Sequence, residues 1–308
     1  MEHPNPKSGK VAICFPGQLS KVPDNVSERS GGEYNLSHPF FEKAREKAGF
    51  NLSSFCFEQE AEDRCLNLKL QVASYLLSMV SFDRYQRKGG RWDFITEHSM
   101  GIYAALAAAE AITFEDGLEM VKEVGLILEA VGRKYPGGLT AVIGLESAAI
   151  KQLCSDVAGY LYVANVNGSR QFVLSGDLAS VERGTELSLK RGAISAQRLT
   201  FNIPLHSPLM ESIRGNVRTF ITGFEIHPPR TPVMSHWSGK PLGDPDEIRE
   251  FLVEELCRPV DWEGCVQYLL SQGVTCFIEM GPDSTLTKLI RWIDRDVKAL
   301  SYGVQDAS

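Results

Sequence analysis

The feature that most constrains this chain is a junction without a linker. The apolar run Arg91 to Thr96 (RWDFIT) has strand character, and four residues later GIYAALAAAEAI begins, an Ala-rich segment of high helix propensity. A strand that becomes a helix so quickly needs a sharp elbow, and the elbow falls at Ser99. Units of this kind belong to parallel α/β sheets, whose chemistry gathers at the carboxyl ends of the strands.

The rest of the chain fits that frame. Lys10 to Phe15 (KVAICF) reads as a buried strand stopped by Pro16 and Gly17. Ser20 to Pro39, rich in Ser, Gly, Asn, Asp and Pro, predicts a surface loop that ends where FFEKAREKAGF starts a helix, and Leu66 to Gln86 carries helical spacing. Near the end, PVMSHW and TCFIEMG predict strands, and EIREFLVEELC, WEGCVQYLLSQG and TLTKLIRWI predict helices. Between these parts the rhythm changes. Residues 133–201 run LTAVIGL, SAAIKQLCSDVAG, YLYVANVN, RQFVLSGD, LASVERGTELSLKRG and ISAQRLTF, the β-α-β-β-α-β order of a ferredoxin-like unit. The fold class expected is α/β, with a parallel-sheet core from residues 1–132 and 202–308 and an inserted ferredoxin-like subdomain, 133–201.

Composition narrows the functions open to such a fold. The 308 residues carry a formal charge of -7 with no run of Lys or Arg to follow a phosphate backbone, so nucleic-acid binding is excluded. No stretch approaches the roughly 20 apolar residues of a membrane span, and MEHPNPKSGK lacks the apolar centre of a signal peptide. A cytoplasmic monomer is expected. The seven cysteines form no CxxC pair, so neither disulfides nor a metal site is expected.

Three short segments carry candidate chemistry. A serine hydroxyl becomes a nucleophile only when it is exposed and a base accepts its proton, and an elbow supplies the exposure. The pentapeptide is Glu97-His98-Ser99-Met100-Gly101, lacking the first glycine of G-x-S-x-G, so an ordinary capped helix start explains it equally well. FPGQLS (Phe15 to Ser20) is a turn that aims amides into a cleft or is only a turn. In FNIPLHSPLM, Pro204 keeps His206 out of a helix; a lone histidine serves as a base or as a packed core residue.

Taken together and in order, FPGQ, HSMGIYAALAAA, AVIGL, ANVNGSRQFVLSG, IPLHSPLM, RPVDW and EMGPDSTLTKLI resemble the malonyl-CoA:acyl carrier protein transacylase family of fatty-acid and polyketide acyltransferases. The resemblance spans some 280 residues and implies an α/β-hydrolase-like core. It implies Ser99 as nucleophile, His206 as base, and the Gln18 and Met100 amides as oxyanion hole. It places the group that orients His206 at Asp261, in RPVDW. It also implies no bound cofactor, with acyl-CoA or phosphopantetheinylated acyl carrier protein as substrate and that carrier protein as partner. His98 matches a position beside the nucleophile and reads as packing.

The departures concern the cargo. Family members that use malonyl groups hold the free carboxylate with an arginine, and ungapped counting puts Val124 there. A pocket glutamine falls by the same counting on Leu70, with Gln71 adjacent. Leu70, Val124 and Leu205 are therefore the expected acyl-pocket residues. Glu97 would repel a carboxylate if it faced the cleft. The expectation is an acyltransferase for a neutral acyl group; the alternatives are an editing acyl-carrier-protein thioester hydrolase, a malonyl transacylase, or a catalytically silent carrier-binding protein. Arg133, Lys134 and Arg170 are candidates for a basic docking patch, with solvated surface as the plain reading.

Overall fold

A computed structural model describes residues 9–19, 38–51 and 66–303. The polar segment from Ser20 lies largely outside them, as do Cys56 and Cys65. The other five cysteines are free.

The larger unit is built on a six-stranded sheet of order β11-β10-β1-β2-β7-β8. Its centre is β1 (Lys10–Phe15), buried along five of its six residues, as expected of a strand covered on both faces. β1 pairs in parallel with β2 (Phe94–Glu97) on one side and β10 (Val274–Met280) on the other. β11 (Lys298–Tyr302) continues the parallel order beyond β10, and β7 (Val233–Met234) does so beyond β2. The edge strand β8 (Pro241–Leu242) is antiparallel to β7.

Helices cover this sheet. α1 (Pro39–Ala48) is capped by the His38 ring, and α2 (Leu66–Arg87) is buried almost continuously from Leu70 to Phe82. α3 (Gly101–Ala108) packs tightly because its side chains are mostly small. α4 (Phe114–Lys134) starts on a Thr113 cap and packs against α2. After β10, the Glu279 carboxyl accepts hydrogen bonds from the Leu286 and Thr287 amides, which anchors the start of α10 (Thr285–Ile293) to the sheet. No helix among the described residues is long and apolar enough to cross a membrane.

The smaller unit follows the order read from the sequence: β3 (Gly137–Ile143), α5 (Ser147–Asp156), β4 (Leu161–Gly168), β5 (Gln171–Asp177), α6 (Leu178–Lys190) and β6 (Ser195–Arg198). Its strands lie β6-β3-β5-β4, all antiparallel. The division at residue 201 is incomplete, however. β9 (Val260–Asp261), from the RPVDW segment, adds to this sheet in parallel, pairing Asn165 with Val260 and Val166 with Asp261. A two-residue strand has no periodicity to read, so its sheet is set by where α8 (Pro245–Glu254) and α9 (Trp262–Ser271) deliver it.

Other short elements escaped the sequence reading for the same reason. PVMSHW contributes only two strand residues before turning, β8 and β11 gave no signal, and Pro208–Ile221 forms a 3-10 turn followed by α7 (Arg214–Ile221).

The register Phe15 to Glu97 ends β1 and β2 side by side, so the Pro16-Gly17 turn lies against the elbow. A Cβ on Gly101 would stand 2.3 Å from the Phe15 carbonyl oxygen and 2.9 Å from that of Pro16. Both are rigid backbone atoms. Gly101→Ala is accordingly expected to destabilise the fold by about 2–4 kcal/mol, since relief requires moving a central strand. Denaturant unfolding measures this; a midpoint equal to that of the parent would contradict the close approach.

Candidate active site

Ser99 sits at the top of the elbow with φ 58°, in the left-handed region that disfavours side chains. The conformation is held on both sides: the His98 amide donates to the Phe15 carbonyl at 3.0 Å, and the Ile102 amide closes the first helical turn on the Ser99 carbonyl at 3.1 Å. His98 is fixed by Asn167 Oδ1 at 2.9 Å and approached by Asn165 Nδ2 at 3.4 Å. Its ring packs against Trp262. Burial lowers its pKa to about 4, against the opposing hydrogen bond that its Nε2 donates to Asn167 Oδ1.

His206 is brought to this point by backbone constraints. Pro204 prevents a helix, the Leu205 amide donates to the Ile203 carbonyl, and the His206 amide donates to the Leu256 carbonyl at 2.8 Å. Its φ of 56° is also left-handed. Nδ1 lies 3.0 Å from the Glu255 carbonyl oxygen and 3.1 Å from that of Arg258. Carbonyls only accept, so Nδ1 carries the proton and Nε2 is left as an acceptor. Nε2 is 2.7 Å from Ser99 Oγ. Burial, then the charge of His236, lowers the pKa of His206 to about 3, with the two carbonyls pulling the other way. The ring is neutral in ordinary buffers and able to take a proton.

Asp261 does not orient His206. Its carboxylate caps α9 by accepting from the Gly264 amide at 3.0 Å. The segment is the expected one, but the acceptors are main-chain carbonyls three and six residues earlier. A side-chain pattern carries no mark of them.

The Gln18 and Met100 residues border the same cleft. Gly17 packs on the elbow, where a Cβ would lie 3.1 Å from the His98 carbonyl, and the Leu19 amide donates to Ser74 Oγ at 2.8 Å. The Gln18 side chain is drawn aside to Asn67 Oδ1. Met100 is the first residue before α3, where amides are unpaired by the helix itself. Among the described residues neither the Gln18 nor the Met100 amide donates a hydrogen bond.

The cleft encloses about 310 Å³ between the two units. Leu128 and Leu205 line it from the larger unit, and Leu139, Ala141 and Val173 from the smaller. Leu205 is thus where the sequence reading placed it. Leu70 and Val124 are not: both are buried in the core beneath the cleft, whose wall is formed by Gln71 on α2 and Leu128 on α4. Glu97 is also absent from the cleft. It is fully buried beneath the elbow, with both carboxyl oxygens on His236 Nδ1 at 2.8 and 3.0 Å. Among the described residues lining the cleft there is no Lys or Arg, and Asp283 is the one carboxylate. Arg170, away from the cleft, is ion-paired with Glu146.

Fold and site define a two-unit α/β protein in which an elbow serine meets a histidine of the same larger unit, at the edge of the cleft that the two units share. The chain belongs to the acyl transferase domain family, which matches residues 41–300. It is 30% identical over 295 residues to a malonyl CoA-acyl carrier protein transacylase of Bacillus subtilis (strain 168), covering 95% of this chain and 93% of that protein. The crystal structure of a malonyl-CoA:acyl carrier protein transacylase from Xanthomonas oryzae pv. oryzae superposes with a TM-score of 0.86 at 31% identity, covering 96% of this chain and 94% of the other. A malonyl-transacylase solved in complex with its type II polyketide acyl-carrier protein superposes with a TM-score of 0.87 at 27% identity, over 95% of each chain.

Two outcomes follow from this geometry. Ser99→Gly relieves a left-handed side chain and is expected to stabilise the fold by about 1 kcal/mol, read as a raised Tm; an unchanged or lowered Tm would deny the strain. The second concerns pH. His98, His206 and His236 have pKa values of about 4, 3 and 3 in the fold against 6.5 ordinarily, chiefly through burial. Between these limits the unfolded chain binds more protons, so stability falls as pH drops from about 6.5 toward 3. Glu255, raised from 4.5 to about 8 by burial and then by Glu97, acts oppositely, and its contribution is lost as pH rises through that range. Three histidines outweigh one carboxyl where the two slopes oppose, so thermal denaturation is expected to give the highest Tm at about pH 6.5, with a decline on either side. A Tm that climbs steadily to pH 8 would show that the carboxyl is ionised in the fold.

Proposed function

We propose that the protein transfers a neutral acyl group from a thioester, acyl-CoA or acyl carrier protein, to the phosphopantetheine thiol of a carrier protein through an acyl-Ser99 intermediate. The observation that carries the reading is the 2.7 Å contact between Ser99 Oγ and an Nε2 that is an acceptor because Nδ1 is committed to two carbonyls. His206 takes the hydroxyl proton as Oγ attacks the thioester carbonyl carbon. The carbonyl oxygen becomes an oxyanion received by the Gln18 and Met100 amides at the start of α3. Collapse expels the first thiolate, which takes the proton from His206. The incoming thiol repeats the sequence in reverse and leaves Ser99 free. No metal or redox group has a role in these steps.

The carrier protein as partner is supported by the relatives, which are named for it. The neutral cargo is supported by the cleft. A malonyl carboxylate enclosed by Leu128, Leu139, Leu205 and Val173, with Asp283 as the charged neighbour, would lack a cation at a cost of several kcal/mol. Short or branched apolar chains meet no such cost.

Intact-protein mass spectrometry with a panel of acyl-CoA and acyl-carrier-protein donors tests this. Neutral acyl groups are expected to load at least about tenfold faster than malonyl, a difference of one 1.4 kcal/mol step. The adduct should vanish in Ser99→Ala and pass to holo carrier protein. Faster malonyl loading would overturn the cargo, free acid without transfer would make the protein a thioester hydrolase, and no adduct with any donor would make it a binding protein.

A further inference from the structure

Beneath the Ser99–His206 pair lies a second layer of buried titratable groups for which the proposed reaction has no use. Glu97 occupies the position where elbows of this type carry glycine, and its side chain is fully enclosed. Its partner His236 follows β7, whose Val233 is in register with Ile95, so the pair bridges the carboxyl ends of two neighbouring strands. The His236 ring meets the His206 ring edge to face, 5.9 Å between centroids at 89°, and is backed by Phe251 at 4.9 Å. Its carbonyl accepts from the Asp261 amide at 2.6 Å, which ties it to β9.

Glu255 completes the layer. Its carbonyl receives the His206 Nδ1 proton, while its buried carboxyl accepts from the Tyr103 hydroxyl at 3.3 Å. One ring nitrogen of His206, one of His236 and one Glu255 carboxyl oxygen lie within 4.8 Å of one another. The composition suits a metal ion, yet both His206 nitrogens are already engaged, Nε2 by Ser99 and Nδ1 by carbonyls. The cluster is better matched to holding the base.

Burying a carboxyl and an imidazole is costly unless each satisfies the other, and an elbow that only had to turn would be cheaper with glycine. We propose that Glu97 and His236 are a positioning pair for the base: Glu97 fixes the tautomer and ring plane of His236, and the His236 ring braces His206 with Nε2 toward Ser99. The inference rests on the Ser99–His206 reaction proposed above. Burial drives the Glu97 carboxyl well above its usual range and lowers His236 to about 3, so one proton is shared and the pair is neutral as a unit. The other titratable groups around it are His98 on the elbow, Tyr103 on α3, Glu255 and His206 opposite, and Cys265 and Asp261 at the start of α9. A change in the pair's protonation is therefore felt by the base.

The test compares the parent with Glu97→Gly, Glu97→Gln, His236→Asn and the Glu97→Gly/His236→Asn double variant, using a neutral acyl-CoA that loads Ser99. Glu97→Gly and His236→Asn are expected to lower kcat about tenfold with KM nearly unchanged, and to move the acid limb of the pH profile. The double variant should be no worse than either single one, because the two residues act as a unit. Glu97→Gln keeps the contact but not the titrating group, so it should restore most of kcat while the acid limb still moves. A parental kcat and pH profile in the single variants would overturn the positioning role, as would losses that follow Tm alone with the acid limb in place. If Glu97→Gly fails to fold, an unmoved acid limb in isosteric Glu97→Gln overturns it. Ser99→Ala separates the two readings: if it still turns over, the Ser99 reaction itself is wrong; if it is silent while the Glu97 variants match the parent, only the positioning pair is.

Discussion

The site depends first on a steric fact, the approach of the elbow to the end of β1. Gly101 lies so close to the Phe15 and Pro16 carbonyls that no side chain fits, and this contact locks the start of α3 over the neighbouring strand. The left-handed Ser99 follows, since the chain has three residues, His98 to Met100, in which to leave the sheet and enter the helix. With Ser99 so raised, its hydroxyl clears the elbow and meets His206 Nε2 at 2.7 Å. The Pro16-Gly17 turn is held against the same junction, which brings the Gln18 and Met100 residues to one cleft.

The histidine arrives by a different physical route. His206 is held by hydrogen bonds that it donates to main-chain carbonyls of the 3-10 turn after α8 (Glu255–Cys257) and of Arg258. Two carbonyls on Nδ1 specify the tautomer without placing a full negative charge beside the ring. That suits a buried base: a carboxylate there would itself need compensation in a low dielectric. The charges that do exist nearby are suppressed by burial, with Glu255 held protonated up to about pH 8 and His98, His206 and His236 neutral.

How much of this was legible in the sequence depends on what each feature rests upon. Ser99 and His206 were legible as candidates because strong local signals, an Ala-rich helix after a strand and a proline before a histidine, mark the two segments that the fold brings to a 2.7 Å contact. The β-α-β-β-α-β unit was legible because its elements are long enough to show periodicity. Asp261 was misread because the true acceptors are carbonyls of Glu255 and Arg258, which any residue type supplies. Leu70 and Val124 lie in the core beneath the wall because exposure to the cleft depends on the rotation and depth of each helix, which spacing alone does not give; on α2 a step of one residue, about 100° of rotation, separates Leu70 from Gln71. Gln71 and Leu128 took their places at the wall. The Glu97–His236 contact joins residues 139 positions apart, and the missing elbow glycine was its only trace.

The cleft explains why the chain keeps two units. Ser99 and His206 come from the larger one, yet Leu139, Ala141, Asn165, Asn167 and Val173 of the smaller one close the other side. β9 stitches the units together by pairing with β4 beside Asn165, in the same short stretch that supplies the Arg258 carbonyl to His206. Substrate wall and base are thereby set by one segment. Because Asn165 and Asn167 also hold His98, a shift of the smaller unit acts on the elbow as well as on the wall. The spacing of the units therefore sets both the width of the cleft and the support of the elbow that carries Ser99, and a side chain on the cleft wall can change without disturbing that support only where it leaves β4 in place against β9.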